Sequence, residues 1–121
     1  MTPTPNTREE AGAILWIRSM DDRRAPDTLG GQTEEDQERE VRDVIDQDER
    51  VLTRIIFAVG ADPGDSDHRL AVMTRMLRQV PVRYLYVPGA VYAHDSEDEL
   101  MKHHALLLAM RKTVLTICQD E

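Results

Sequence analysis

Four short apolar runs alternate with three amphipathic segments along the chain. The first run, Ala13-Ile14-Leu15-Trp16-Ile17, is continuous, which is typical of a strand buried on both faces. The next two are rich in β-branched and aromatic residues and stop at Gly60 and at Pro88-Gly89. The last run lies close to the end of the chain. These runs predict strands at 13–18, 51–59, 82–87 and 113–118.

The first two intervening segments carry apolar residues at helical spacing. Residues 33–48 place Val41, Val44 and Ile45 on one stripe, and Thr33 stands where it could cap the start of a helix. The second segment has Leu70, Met73 and Leu77 on one stripe and runs to about residue 79, ahead of a proline.

The third segment has the clearest helix start in the chain. Ser96 and Glu99 form a capping box, and the helix is predicted to run to about Arg111 or Lys112, cations that suit its carboxyl end. Its predicted buried stripe comprises Leu100, His104, Leu107 and Leu108.

Strict alternation, β-α-β-α-β-α-β, predicts an α/β fold. We expect a three-layer sandwich in which helices cover both faces of a four-stranded, mostly parallel sheet. One domain is expected over 11–121, preceded by a flexible leader at 1–10 that contains two prolines and has no periodicity. Ligands of such sheets bind at the loops after the carboxyl ends of the strands. Those loops are 18–31, 60–68 and 88–95.

Composition narrows the classes of function. The 121 residues include 23 acidic and 15 basic ones, a formal net charge of −8, so we expect no direct binding of nucleic acid, which needs clustered Lys and Arg. No stretch approaches the ~20 apolar residues of a membrane span, and residues 1–10 lack the apolar segment of a secretory signal. A single cysteine, Cys118, fits a reducing compartment, and we expect a cytoplasmic location.

Two motifs sit at the predicted carboxyl edge of the sheet. Trp16-Ile17-Arg18-Ser19-Met20 ends the first strand, and Asp67-His68-Arg69-Leu70 opens the second helix. With the order of elements, they resemble the catalytic domain of the serine recombinases, the resolvase and invertase family, in which the first strand ends in Tyr-x-Arg-x-Ser. Gln32 or Gln37 is similar to that family's glutamine-rich helix start. The resemblance spans about residues 12–118 and implies a resolvase-like fold and a setting in DNA recombination.

Departures from the family's motifs predict that catalysis is lost. Met20 stands where the family has its nucleophilic serine, and Ser19 beside it would point to the opposite face of a strand. The family supplies two phosphate-binding arginines after its third strand, and an ungapped alignment places Val91 and His94 there. One titratable cation cannot replace two permanent ones in stabilising a pentacoordinate phosphate. We therefore expect a catalytically inactive, recombinase-like domain.

A remnant of an anion site is the next possibility. Arg18 and Arg69 are predicted to face one crevice, with Ser19 and His94 nearby. The favoured interpretation pairs both arginines with loop carboxylates, such as Asp21, Asp22, Asp65 or Asp67. The alternative function uses the same crevice, either as a residual recombinase acting through Ser19 or as a small α/β enzyme. No nucleotide-binding motif is present, and we expect no cofactor.

The remaining histidines and the cysteine are predicted to be structural. His103 and His104 point about 100° apart on a helix, so they cannot share one ion and no metal site is expected. His104, at a stripe position, is expected to be half-buried. Cys118 lies near Asp120 and Glu121, and neighbouring carboxylates raise the pKa of a thiol.

Two surfaces are candidates for association. The acidic helix at 33–49 is most simply a solvated face, and the alternative is a docking surface for a basic partner. The last helix has apolar residues in nearly every direction, more than one sheet face can cover. We expect a second copy or a protein partner to contact Met101, Leu106, Leu108 and Met110. The predicted function is thus a non-catalytic, recombinase-like domain that acts by association.

Overall fold

The computed structural model describes residues 8–17, 33–59 and 65–118, and elements alternate throughout these ranges. They are β1 (Glu10–Ile17), α1 (Glu34–Gln47), β2 (Val51–Val59), α2 (Ser66–Gln79), β3 (Tyr84–Pro88), α3 (Glu97–Arg111) and β4 (Val114–Cys118). A single 3-10 turn, Gly89–Tyr92, follows β3. No helix in this part of the chain is long and apolar enough to cross a membrane.

The four strands form one sheet in the order β2-β1-β3-β4, and every neighbouring pair is parallel. β1 pairs with β2 along its length, from Glu10 beside Val51 to Ile17 beside Val59. β3 pairs with β4 over all five residues of each strand. The predicted α/β class and three-layer arrangement are confirmed, with a sheet that is parallel throughout.

Alternation along β1 divides the apolar core into two layers. Ile14 and Trp16 lie in the layer that contains α2 and α3, whereas Ala13 and Leu15 lie in the layer that contains α1. Because successive side chains of a strand point to opposite faces, a continuous apolar run fits a central strand with helices on both sides. α1 contributes Val41 and Ile45 to its layer. α2 and α3 contribute Val72, Met73, Leu77 and Leu107 to theirs.

Side-chain caps set the starts of the helices. Thr33 and Asp36 form a reciprocal capping box at α1, and Ser96 and Glu99 form another at α3. α2 begins at Ser66, earlier than the apolar spacing indicated, because the Asp65 side chain accepts a hydrogen bond from the backbone of His68 at 3.1 Å.

Three strand starts differ from the predicted ones, and the smallest difference is at β4, which begins at Val114 rather than at 113. β1 begins at Glu10 rather than at 13, and the carbonyl of the preceding Glu9 accepts the amide of Val51 at 3.0 Å. Glu10 of the predicted leader is thus part of the sheet, Glu9 hydrogen-bonds to it, and residues 1–7 lie outside the described ranges. β3 begins at Tyr84 rather than at 82, because the carbonyl of Val82 accepts the hydroxyl of Thr113 at 2.7 Å instead of joining a strand ladder.

The predicted buried stripe of α3 holds at Leu107, which is buried, and at Leu100, which packs half-buried against the core. His104 and Leu108 are exposed and His103 is buried instead, so the expectation that His104 is half-buried is wrong. The reason is polar: the ring of His103 has hydrogen-bonding partners in α2 and in the 3-10 turn, and these fix the rotation of the helix.

We expect Gly89→Ala to destabilise the fold by about 3 kcal/mol, because a Cβ there would overlap the backbone carbonyl of Cys118. Gly12→Ala is the matched control: its Cβ would lie 2.9 Å from Cγ1 of Val82, a side chain that can move, and it should cost about 1 kcal/mol. Urea unfolding followed by circular dichroism measures both. Equal losses in the two variants would contradict the close approach at Gly89.

Candidate functional site

The carboxyl edge between β1 and β3 is where the geometry of this fold places a functional site. α1 packs on one face of the sheet and α2 and α3 on the other, so crossovers leave these neighbouring strands in opposite directions. The two strands pair only at Gly12 with Leu85 and at Ala13 with Tyr86. Beyond those pairs they separate, and Pro88 at the end of β3 has no N–H to donate.

A glutamine side chain occupies the gap between β1 and β3. The backbone N–H of Trp16 donates to Oε1 of Gln37 at 2.8 Å, and Nε2 of Gln37 donates to the carbonyl of Trp16 at 2.8 Å. The buried amide thus replaces the backbone of a neighbouring strand. One turn along α1, Oε1 of Glu40 accepts the N–H of Gly89 at 2.9 Å. α1 therefore fills this end of the crevice with its own side chains.

A buried ion pair forms the second part of the edge. The guanidinium of Arg69 in α2 binds the carboxylate of Asp95, and both side chains are buried. The guanidinium also lies over the ring of Tyr92, with Cζ 4.2 Å from the ring centroid. A buried charge is stable only when it is compensated. Asp95 provides that compensation for Arg69.

Next to the ion pair, His103 links three elements. Its Nδ1 lies 2.9 Å from the hydroxyl of Tyr92, and its Nε2 lies 3.0 Å from the hydroxyl of Ser66. The rings of Tyr92 and His103 meet edge to face, with centroids 5.4 Å apart. Hydrogen bonds from Ser66 and from Ser96 lower the pKa of the Glu99 carboxyl. The network thus runs from the 3-10 turn through α3 to the start of α2.

The direction of these hydrogen bonds follows the tautomer of His103, and two patterns fit the distances. In one, Tyr92 donates to Nδ1 and Nε2–H donates to Ser66. In the other, Nδ1–H donates to Tyr92, the hydroxyl of Tyr92 donates to Sδ of Met73 at 3.5 Å, and Ser66 donates to Nε2. Burial raises the pKa of Tyr92 to about 12. In both patterns the arrangement braces α2 against α3.

Of the residues predicted to form an anion site, the described ranges contain Arg69 and His94. Arg69 is buried and binds Asp95 rather than Asp65 or Asp67. His94 lies exposed in the turn after the 3-10 helix. Arg18, Ser19, Met20, Asp21 and Asp22 lie outside the described residues. Val91, aligned with a phosphate-binding arginine, is a core residue.

Asp95 and Gln37 are the residues whose roles the sequence did not reveal. Asp95 is 26 positions from Arg69, and Gln37 is 21 positions from Trp16. Neither pairing follows a local spacing rule. A polar residue on the apolar stripe of α1, four positions before Val41, is the one sequence signal that marks Gln37 as buried.

Among the residues that the structure describes, neither a metal site nor an activated thiol is found. Within the described ranges, no group of three or more His, Cys, Asp or Glu could hold a metal ion. Burial raises the pKa of the Cys118 thiol to about 12, and Glu40 and Asp48 add to the effect. Asp120 and Glu121, the acids expected to do so, lie outside the described residues.

An open groove of about 710 Å³ lies at the opposite end of the sheet, between α1 and the start of β2. Its arginines are engaged by neighbouring side chains. Arg8 binds Asp46 at 3.4 Å, and Arg42 binds Glu38 at 2.8 Å. Arg50 donates to the hydroxyl of Tyr86 at 2.6 Å. Each arginine that lines the groove therefore already has a partner within the protein.

The outward side of α3 carries exposed apolar side chains, and the exposed Lys102 and His104 lie among them. Met101 is 67% exposed, Leu108 55% and Met110 52%, whereas Leu106 is half-buried. Seven residues are nearly two helical turns, so Met101 and Leu108 point the same way, with exposed Ala105 between them. Met110 points to nearly the opposite side. We call Met101, Ala105 and Leu108 the outer α3 stripe.

Comparisons of the chain with protein-family models, with curated proteins and with solved structures find no match.

His103 should make the stability of the fold depend on pH. Burial, followed by the charge of Arg69, lowers its pKa in the folded state below the ordinary 6.5. The unfolded chain then binds more protons below about pH 6.5, so the contribution is complete above that pH and is lost as the pH falls. Going from about pH 7.5 to about pH 5.5 should therefore lower the free energy of unfolding through this group.

Urea unfolding at the two pH values measures this dependence in the wild type, in His103→Gln and in His104→Gln. His103→Gln should flatten it, whereas the exposed neighbour His104→Gln should keep it. The lowered pKa values of Asp36 and Glu99 act at lower pH, since their ordinary values are 3.8 and 4.5. The same pH dependence in the wild type and in His103→Gln would contradict the assignment.

Proposed function

We propose that the chain is a non-catalytic domain that acts by association with a second copy of itself, through the outer α3 stripe. The exposure of Met101 and Leu108 on one side of α3 carries the proposal. Exposed apolar side chains grouped on one surface of a small domain mark an interaction site. Methionine suits such a surface because its flexible thioether adapts to the partner.

Three observations at the carboxyl edge support a non-catalytic role. Asp95 compensates the charge of Arg69 inside the protein. Gln37 and Glu40 fill the gap between β1 and β3. Val91, at a position where the recombinase family has a phosphate-binding arginine, is packed in the core. Stabilising a phosphoryl transition state requires cations directed at the reacting phosphate, and these residues supply none.

The resemblance to the serine recombinases suggests the setting of this association. In that proposal the domain is a degenerate relative of the resolvases that works in DNA recombination or with a mobile element, and it contacts proteins rather than DNA. Its net charge of −8 supports the second part, because the DNA backbone repels an acidic surface. The competing proposal is a residual recombinase that attacks DNA through Ser19.

We expect the wild-type chain to self-associate and Met101→Ser with Leu108→Ser to remove that association. Sedimentation velocity from low micromolar to near-millimolar concentration measures it. Unfolding free energies should agree within about 0.5 kcal/mol, because both side chains are exposed. Met110→Ser is the matched control, since Met110 is similarly exposed but points away from the stripe.

Two results would contradict the proposal. One is a wild-type chain that stays monomeric over the whole range. The other is a covalent linkage between Ser19 and supercoiled DNA in a denaturant-quenched incubation, which would support the residual recombinase instead.

A further inference from the structure

Opposite charges stand at the two ends of the outer α3 stripe. Glu97 opens the helix and Lys112 caps its end, and both residues are exposed. At about 100° per residue, Glu97 lies ~40° from the direction of Met101. Lys112 follows the last helical residue and has a left-handed backbone, with φ 53°. The exposed Met101 and Leu108 thus lie between an acidic start and a basic end of α3.

The spacing of these four residues is symmetric. Glu97 and Met101 are separated by four positions, and so are Leu108 and Lys112. The midpoint of both the charged pair and the apolar pair falls between residues 104 and 105. A twofold axis through this point maps the stripe onto itself with the helix direction reversed.

We infer that two copies of the chain pair through antiparallel α3 helices. This inference rests on the proposed function and adds the orientation and the residues that select it. Glu97 of each copy then faces Lys112 of the second copy, and Met101 faces Leu108 of the second copy. A twofold interface of this kind is self-complementary, since each contact occurs twice.

The rest of α3 favours the antiparallel orientation over the parallel one. Its first turn carries Glu97, Asp98 and Glu99, and its last turn ends with Arg111 before Lys112. Parallel helices would bring acids against acids and bases against bases. Antiparallel helices bring opposite charges together at both ends, and their dipoles also oppose. This pairing also sets Ala105 of each copy against the exposed His104 of the second copy, beside the axis.

Charge reversal tests the orientation, with dissociation constants measured by sedimentation velocity on the full chain at low salt. Glu97→Lys and Lys112→Glu should each weaken self-association about tenfold, because each places two like-charged pairs in the interface. The double variant Glu97→Lys with Lys112→Glu should recover wild-type affinity. Both single changes also oppose the helix dipole, so their losses of folding stability should add in the double variant while association recovers.

Net charge alone gives a different pattern. Glu97→Lys reduces the acidity of the whole chain and would strengthen association, whereas Lys112→Glu would weaken it. Asp43→Lys, on the exposed side of α1, measures this general effect. One result would overturn the antiparallel pairing: the dissociation constants of Glu97→Lys and Lys112→Glu change only as net charge predicts, as Asp43→Lys does. If Met101→Ser with Leu108→Ser still abolishes association, the proposed function stands. Association that persists when the stripe is removed would overturn both.

Discussion

The separation of β1 and β3 at their carboxyl ends is the constraint on which the rest of the structure depends. The connections after β1 and β3 run to opposite faces of the sheet, so these two neighbouring strands separate at their carboxyl ends. The separation leaves the backbone N–H and carbonyl of Trp16 without a partner strand. A buried backbone group without a partner costs about 1–3 kcal/mol. Gln37 satisfies both groups, which fixes α1 on its face of the sheet and brings Glu40 to the N–H of Gly89.

On the opposite face of the sheet, buried polar side chains also satisfy one another. Arg69, Asp95, Tyr92 and His103 contact one another among apolar side chains of α2 and α3. These contacts join α2, the 3-10 turn and α3, and they determine which side of α3 faces outward. The exposure of Met101 and Leu108 thus follows from the position of His103. A network that braces the interior also presents the surface proposed for association.

Local patterns predicted the elements well and the buried polar pairs poorly. The strand at 51–59 and the capping boxes at Thr33 and Ser96 depend on neighbours within a few positions, and the structure confirms them. The partners of Gln37 and Arg69 belong to elements far away in the sequence, so periodicity carries no trace of them. The pattern places His104 rather than His103 on the buried stripe, because a one-residue rotation of a helix that is apolar on all sides leaves the pattern almost unchanged. The resemblance to the serine recombinases stays a prediction.

Native-state hydrogen exchange of the Trp16 backbone amide, followed by NMR, tests most directly whether the protein's own side chains close the carboxyl edge. If Gln37 holds that amide as the structure shows, Trp16 exchanges only on global unfolding, with the same protection as the amide of Leu85 in the middle of the sheet. Gln37→Leu should then lower the protection of Trp16 below that of Leu85 in the same variant. A wild-type Trp16 amide that exchanges far faster than Leu85 would show an open edge and contradict the account.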